Sequence, residues 1–172
     1  YEANYAIAGS YYSEDIEDYY VSPVDLGYDH MLAFDHDFVG REALEAEMED
    51  PQRTRVTLVW DDDDFVDVYA SLFEEGLPHK QIDLPRDRWG AHHDEVYRDG
   101  SVVGHSKSFC YAYYDREMIS ICSLDVEHAE PGTEVTLLWG ESVDSPNPTV
   151  EEHSQTEIRA TVAPSPYLDD AR

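Results

Sequence analysis

The run Val96, Tyr97, Arg98, Asp99, Gly100, Ser101, Val102 and Val103 constrains this chain more tightly than any other stretch. Asp-Gly supplies the two positive φ angles of a type I′ turn, and the flanking residues favour extended backbone, so the text predicts an antiparallel hairpin. Further strand signals surround it. Arg55 to Trp60 reads RVTLVW, an alternating run rich in β-formers. Strands are also expected at Lys107 to Tyr114, Met118 to Leu124, Glu134 to Trp139 after a Pro131 and Gly132 turn, and Glu157 to Ala163. Five or six short strands with turns between them predict a closed or sandwiched antiparallel sheet.

Two helices interrupt this pattern. Gly40 to Met48 holds strong helix formers, with Leu44 and Met48 one turn apart, Asp37 as a cap and Pro51 as the stop. The run DDDDFVDVYASLFEE from Asp61 places Phe65, Tyr69, Leu72 and Phe73 at helical spacing. Its aspartates sit at the positive end of the helix dipole, and Gly76 marks the end. Leu77 to Glu95 has two prolines and no period, which predicts an extended surface loop, either a lid carrying Trp89 as its apolar contact or a surface insertion. Tyr1 to about Tyr28 is weakly periodic and reads as loop and short helix. The expected class is α+β, mainly β, with a barrel-like antiparallel domain and two short helices.

Charge narrows the function. With 172 residues, the chain has the length of about one domain. Its 39 acidic and 11 basic residues leave a net charge of −28, yet 41% hydrophobic and 12% aromatic residues argue for a folded core rather than disorder. Lys80 and Lys107 are the two lysines; the other cations are arginines. Carboxylates spread along the whole chain, with ammonium groups nearly eliminated, point to adaptation to molar salt, where the screening length falls to about 3 Å. The same charge argues against nucleic acid and anionic membrane as partners. No apolar window has the roughly 18 residues of a membrane span, and the first residues lack a basic start and an apolar signal core. Cytoplasm is the expected location.

Cys110 and Cys122 are equidistant from Arg116 in the YYDREM turn, so a hairpin centred there would place them opposite each other. A bridge is thus conceivable; free buried thiols are the expectation for a cytosolic protein. Two cysteines at this spacing make no zinc motif. Asp61 to Asp64 lacks the glycine and spaced ligands of a calcium loop and is read as helix capping. His92, His93, Asp94 and Glu95 bear metal-capable groups, but neighbours in a loop do not readily converge, and no metal is assigned. No Ser-His-Asp or Cys-His pattern and no glycine-rich phosphate loop is found.

The succession SPVDLGYDHMLAFDHDFVGREAL, RVTLVW, VYRDGSVVGHSKS and MISICSLDVEHAEPGTEVTLLWGE resembles the C-terminal part of the glycine-cleavage T-protein (aminomethyltransferase) family, which are folate-dependent one-carbon transferases. Asp37 to Leu44 is similar to the family signature F-[IV]-G-[RK]-x-A-L. The Asp99, Gly100, Val103 and Gly104 hairpin and the Pro131, Gly132 and Thr133 turn recur in the same order. GSYYSEDIEDYYVSPVDLGY and PTVEEHSQTEIRATVAPSPY look more like the tetrahydrofolate-dependent vanillate and syringate O-demethylases. T-protein generally has Pro-x-Glu-x-Gly-Leu where this chain has Pro23, Val24, Asp25, Leu26, Gly27 and Tyr28.

The resemblance implies methyl transfer from a small-molecule methyl donor to tetrahydrofolate, by a protein longer than this chain. It implies that residues 1–50 are the tail of the folate-binding domain with a connecting helix, and that residues 51–172 form the C-terminal barrel. The catalytic acid, which would protonate the leaving atom, is expected in upstream domains of the same protein and maps to no residue here. Tyr11, Tyr12, Tyr19 and Tyr20 would line the folate channel by stacking, or else pack the domain junction. Arg41, Arg53, Arg55 and Arg159 are scarce cations; one would grip the folate carboxylate as a fork, or each would pair internally with neighbours such as Glu42 and Asp50. The cofactor-binding candidates are therefore Tyr12, Tyr19, Tyr20 and Arg41. The alternatives are a glycine-cleavage aminomethyltransferase and a non-catalytic binding module derived from the family.

Overall fold

A computed structural model describes residues 7–84, 92–143, 145 and 150–168. Six strands close into an antiparallel barrel: β1 (Arg53–Trp60), β2 (Asp94–Arg98), β3 (Ser101–Ala112), β4 (Glu117–Asp125), β5 (Glu134–Trp139) and β6 (Thr156–Ala163). Around the barrel they run in the order β1-β4-β3-β2-β5-β6. Closure removes both sheet edges, so every strand has two neighbours and no backbone row is left to recruit another chain. The expected mainly β, barrel-like fold with two short helices is the fold observed.

The hairpin prediction rested on backbone chemistry, and the backbone follows it. Asp99 has φ 51° and Gly100 has φ 80°, and Arg98 pairs with Ser101 across the turn. Beyond that turn the sequence reading broke one strand into two. β3 runs without interruption through Ser106 and Lys107, because a bulge absorbs an extra residue between the Ser106–Cys122 and Ser108–Ile121 pairs.

The cysteine expectation needs correction. Arg116 takes φ 62° and its amide bonds to the Ala112 carbonyl, so the turn closes on the Ala112–Glu117 pair rather than on Arg116. Cys110 therefore lies opposite Ile119, and Cys122 opposite Ser106. Both thiols are free, Cys110 exposed and Cys122 buried.

Alternation along the strands fills the barrel. Val56, Leu58 and Trp60 of β1, Met118, Cys122 and Leu124 of β4, Leu137 and Trp139 of β5, and Ile158 and Val162 of β6 are buried in one cluster. Each such side chain contributes about 1.5–3 kcal/mol by leaving water. The polar atoms inside are tied to each other: Trp60 Nε1 donates to Ser120 Oγ at 2.9 Å, and Ser106 Oγ donates to the same oxygen at 2.9 Å.

The first helix matches its sequence pattern in length and the second is shorter. α1 (Arg41–Glu49) starts from Gly40 in the left-handed region, with no side-chain cap. Asp37 is therefore not the cap; its carboxylate lies 3.5 Å from Arg41 instead. α2 (Asp62–Ala70) is capped by Asp61, which accepts from the amides of Asp63 and Asp64. It buries Val68 and rests Phe65 and Tyr69 on the core. A tight turn at Ser71–Phe73 follows and swings Phe73 into solvent, so the apolar stripe ends earlier than the spacing suggested.

The described part of the segment after Gly76 is irregular and mostly on the surface, as expected, but one residue anchors it in the core. Ile82 is fully buried in the core, its carbonyl accepts from the Tyr69 hydroxyl, and the Lys80 carbonyl accepts from Trp139 Nε1 at 2.7 Å. A mixed-charge, proline-containing stretch concealed this, since a single isoleucine has no period to reveal it. Trp89 and the rest of residues 85–91 lie outside the described residues. Asp94 and Glu95, placed in that loop from sequence, open β2.

Candidate functional site

Strand alternation gives the barrel an outer face as well as an inner one. On β1, Arg53 and Arg55 are two residues apart and opposite in side to the buried Val56 and Leu58. On β3, with β4 in between, His105 and Lys107 share that face: Ser123 of β4 pairs with Arg55 on one side and with His105 on the other, and His105 pairs in turn with Glu95 of β2. Three of the chain's few cations thus converge on one side of a strongly acidic protein.

Residues 8–28 reach across this face. The Tyr11 ring sits over His105 at 4.1 Å between centroids. Tyr19 meets Tyr11 edge-on at 5.2 Å and His93 at 5.6 Å. The Arg55 guanidinium lies 5.8 Å from the Tyr28 ring centre. Gly27, with φ 68°, comes so close that a Cβ there would stand 3.2 Å from Arg55 Nε. The turn carrying Gly27 is pinned by Ser22 and Asp25, which exchange bonds: the Ser22 amide donates to Asp25 Oδ2 at 3.2 Å and the Asp25 amide to Ser22 Oγ at 3.0 Å. The Ser22 hydroxyl in turn donates to Glu47 of α1.

The electrostatics of this face are unusual. Burial drives the His93 and His105 imidazoles down to about 4, with Lys107 and Arg53 nearby acting in the same direction. Both rings are therefore neutral at pH 7 and can donate or accept hydrogen bonds. Burial also lowers Lys107, while the Asp25 carboxylate opposes that shift. Arg53 Nε is paired with Asp125 Oδ1 at 3.1 Å. Arg55 differs: its Nε is buried with no hydrogen-bond partner among the described residues. A buried guanidinium nitrogen without an acceptor is costly, so this geometry suits an anionic or carbonyl group arriving from outside the chain. The Tyr28 ring beside it offers one stacking face for a planar ligand.

The structure distributes the sequence-nominated residues unevenly. Tyr19 joins the Tyr11 and His93 cluster, its hydroxyl accepting from the Ser13 amide at 2.8 Å. Tyr12 and Tyr20 are exposed. Arg41 is held locally, 2.9 Å from Glu45 Oε1 and 3.1 Å from the His36 carbonyl. Arg159 is clamped by Asp61 and Asp64 at 3.0 and 2.7 Å, which lowers the Asp64 carboxyl. Among the described residues no three metal-capable side chains converge: alternation sends Asp94 into the barrel and His93 to the outer face. Sequence reading passed over Lys107 and His105 as site residues. Their signal was present in the two-residue spacing within GHSK, but Lys107 was taken as the start of a separate strand.

Fold and face together define a barrel module whose interior is packed and whose outer surface offers a cationic, aromatic site. No family model matches the chain. Among curated proteins it is 42% identical, over 174 aligned positions spanning 100% of this chain and 38% of the relative, to syringate O-demethylase of Sphingobium sp. (strain NBRC 103272 / SYK-6). It is 38% identical, over 90% of this chain and 35% of the relative, to sesamin methylene transferase of Sinomonas sp. (strain No.22). The chain spans somewhat over a third of the length of these relatives. It is homologous to a portion of such enzymes, the relationship that its motifs implied.

Proposed function

We propose that this chain is the C-terminal portion of a tetrahydrofolate-dependent methyltransferase of the aromatic O-demethylase kind, and that its outer barrel face contributes to the folate site. The observation that carries the reading is Arg55: a buried guanidinium nitrogen lacking an acceptor, bracketed by Tyr28 and Gly27, on a face where Lys107 and neutral His93 and His105 also gather. These residues fit a flat, carboxylate-bearing cofactor. Tetrahydrofolate, when bound, supplies the nitrogen that accepts the one-carbon unit. Arg55 and Lys107 would hold its anionic or carbonyl groups, and Tyr11, Tyr19 and Tyr28 would order its rings and keep water from them. Tyr12, Tyr20 and Arg41, also nominated from sequence, would contact cofactor only where upstream domains bring it over their exposed side.

In this reading residues 1–50 complete a folate-binding domain and residues 51–172 form the terminal barrel, with the proton-donating acid upstream. The names of the relatives, a demethylase and a methylene transferase, favour a one-carbon unit leaving oxygen over the aminomethyl chemistry of glycine cleavage. We place the enzyme in a high-salt cytoplasm on its net charge of −28. The test is an assay for methyltetrahydrofolate from syringate and vanillate. The whole polypeptide should form it and the 172-residue chain alone should not; turnover by the short chain, or none by the long one with any methoxylated aromatic acid, defeats the proposal.

A further inference from the structure

Asp94 is the least expected side chain in the barrel. It is 1% exposed and opposes Ser106 across the β2–β3 ladder, on the inward side with Val96. A carboxylate among tryptophans and leucines costs several kcal/mol unless its oxygens are matched. One match comes from within: His92 Nδ1 is 2.7 Å from Asp94 Oδ2, although the ring N–H is not aligned on that oxygen. His92 itself stacks on Trp139 at 5.0 Å. The other match comes from outside the barrel, where the Ser10 amide donates to Asp94 Oδ1 at 3.2 Å.

Around that bond the chain forms a clip. Ser10 Oγ accepts from the Glu95 amide at 2.8 Å. The Tyr11 amide donates to the His93 carbonyl at 3.1 Å and the His93 amide to the Ala8 carbonyl at 2.8 Å. Ala8 bridges His92 in parallel. Gly9 fits because nothing larger could: a Cβ there would meet the His93 carbonyl oxygen at 2.1 Å. The residue after Ser10 is Tyr11, whose ring lies on His105.

We propose that Asp94 is a positioning residue for the outer face: through the Ser10 amide its buried carboxyl oxygen fixes residues 8–11 and sets the Tyr11 ring over His105. The role requires an acceptor atom and not a charge. Burial raises the Asp94 carboxyl, an effect that the neighbouring His92 opposes and Glu141 reinforces, while Lys80 and His153 face Glu141 in turn. An amide in place of the acid should therefore serve as well. That Tyr11 and His105 matter to a folate ligand rests on the function proposed above; that Asp94 places them does not.

The test uses the 172-residue chain and three variants, read by amide hydrogen exchange at Ser10 and Tyr11 and by the NMR shifts of the His105 ring. Asp94→Ala should speed exchange at both amides at least tenfold and move the His105 resonances, while amides of Leu58 and Ile158 in the barrel keep their protection. Asp94→Asn should restore wild-type values. Ser10→Pro, which removes the donor together with the hydroxyl that accepts from the Glu95 amide, should reproduce the alanine effect at Tyr11 and His105. Should Asp94→Ala fail to fold, the asparagine and proline variants still decide the matter. Wild-type Tyr11 exchange and His105 shifts in Ser10→Pro, or an Asp94→Asn protein in which both are disturbed, would overturn the proposal. A separate titration with tetrahydrofolate of the whole polypeptide tests the ligand reading, and its failure leaves the clip result standing.

Discussion

Lys80 Nζ lies 3.2 Å from Glu141 Oε2, and among the described pairs of a lysine or arginine with a carboxylate this is the one in which both partners are largely out of water. The Glu141 side chain is 6% exposed and that of Lys80 17%. Lys80 also reaches Glu151 at 2.9 Å, but the Glu151 side chain is 58% exposed. The carboxylates hold the Lys80 ammonium above its usual range against the burial that would lower it.

The two carboxylates should respond differently to mutation. Lys80→Met leaves Glu141 charged and enclosed, an arrangement that typically costs about 3–5 kcal/mol. Glu151→Ala removes a surface partner and should cost under about 1 kcal/mol. Urea unfolding of the two variants checks the contrast, and equal losses would show that Glu141 is solvated.

Acid should loosen the protein through its outer face. His93 and His105 hold pKa values of about 4 against an ordinary 6.5 because they are buried. Between those limits the unfolded chain binds more protons than the folded one, so their contribution is complete above pH 6.5 and is lost as pH falls toward 4. Asp94, with a raised pKa, works in the opposite sense. Against that opposing carboxyl, the histidine contribution is read from unfolding curves collected from pH 7 to pH 4 for the wild type and for His105→Phe. His105→Phe should flatten the slope.

Gly104 should be irreplaceable for reasons unrelated to backbone freedom. A Cβ at this position would come within 2.4 Å of the Ser123 carbonyl oxygen and 2.9 Å of Leu124 Cα on the neighbouring strand. Neither is a flexible chain end, so β3 and β4 would have to separate. Gly104→Ala should destabilise by about 1–3 kcal/mol, the range for overpacking, measured by thermal or urea unfolding.

Asp61 caps α2 through the amides of Asp63 and Asp64. Loss of such a cap costs about 1 kcal/mol, so Asp61→Ala should lower the unfolding midpoint by that equivalent while Asp62→Ala leaves it unchanged. With 39 acidic residues in 172, the melting temperature should also climb steeply from low to molar KCl as repulsion is screened. A flat salt response would remove the halophilic part of the account.

The barrel was legible because its cues are local. Asp99 and Gly100 specify their turn by φ preference, and RVTLVW names its inward residues by alternation. What escaped depended on contacts distant in sequence. Ile82 is core because α2 and Trp139 enclose its segment, and the cysteines miss each other because one residue, Arg116, enters the left-handed region and shifts the turn centre. For the site, the family resemblance suggested a folate ligand and the sequence offered aromatic residues and scarce arginines as candidates, but whether an arginine is already paired is a tertiary fact. Arg41 and Arg159 find carboxylates on their own helix or on α2, whereas the partnerless nitrogen belongs to Arg55.

Binding of tetrahydrofolate to the whole polypeptide, compared with its Arg55→Met and Arg41→Met variants by calorimetry, tests the central claim most directly. The account predicts that Arg55→Met weakens binding at least tenfold, about 1.4 kcal/mol or more, with the melting temperature maintained, and that Arg41→Met changes it far less. Undiminished affinity in Arg55→Met would contradict the assignment of this face to the cofactor.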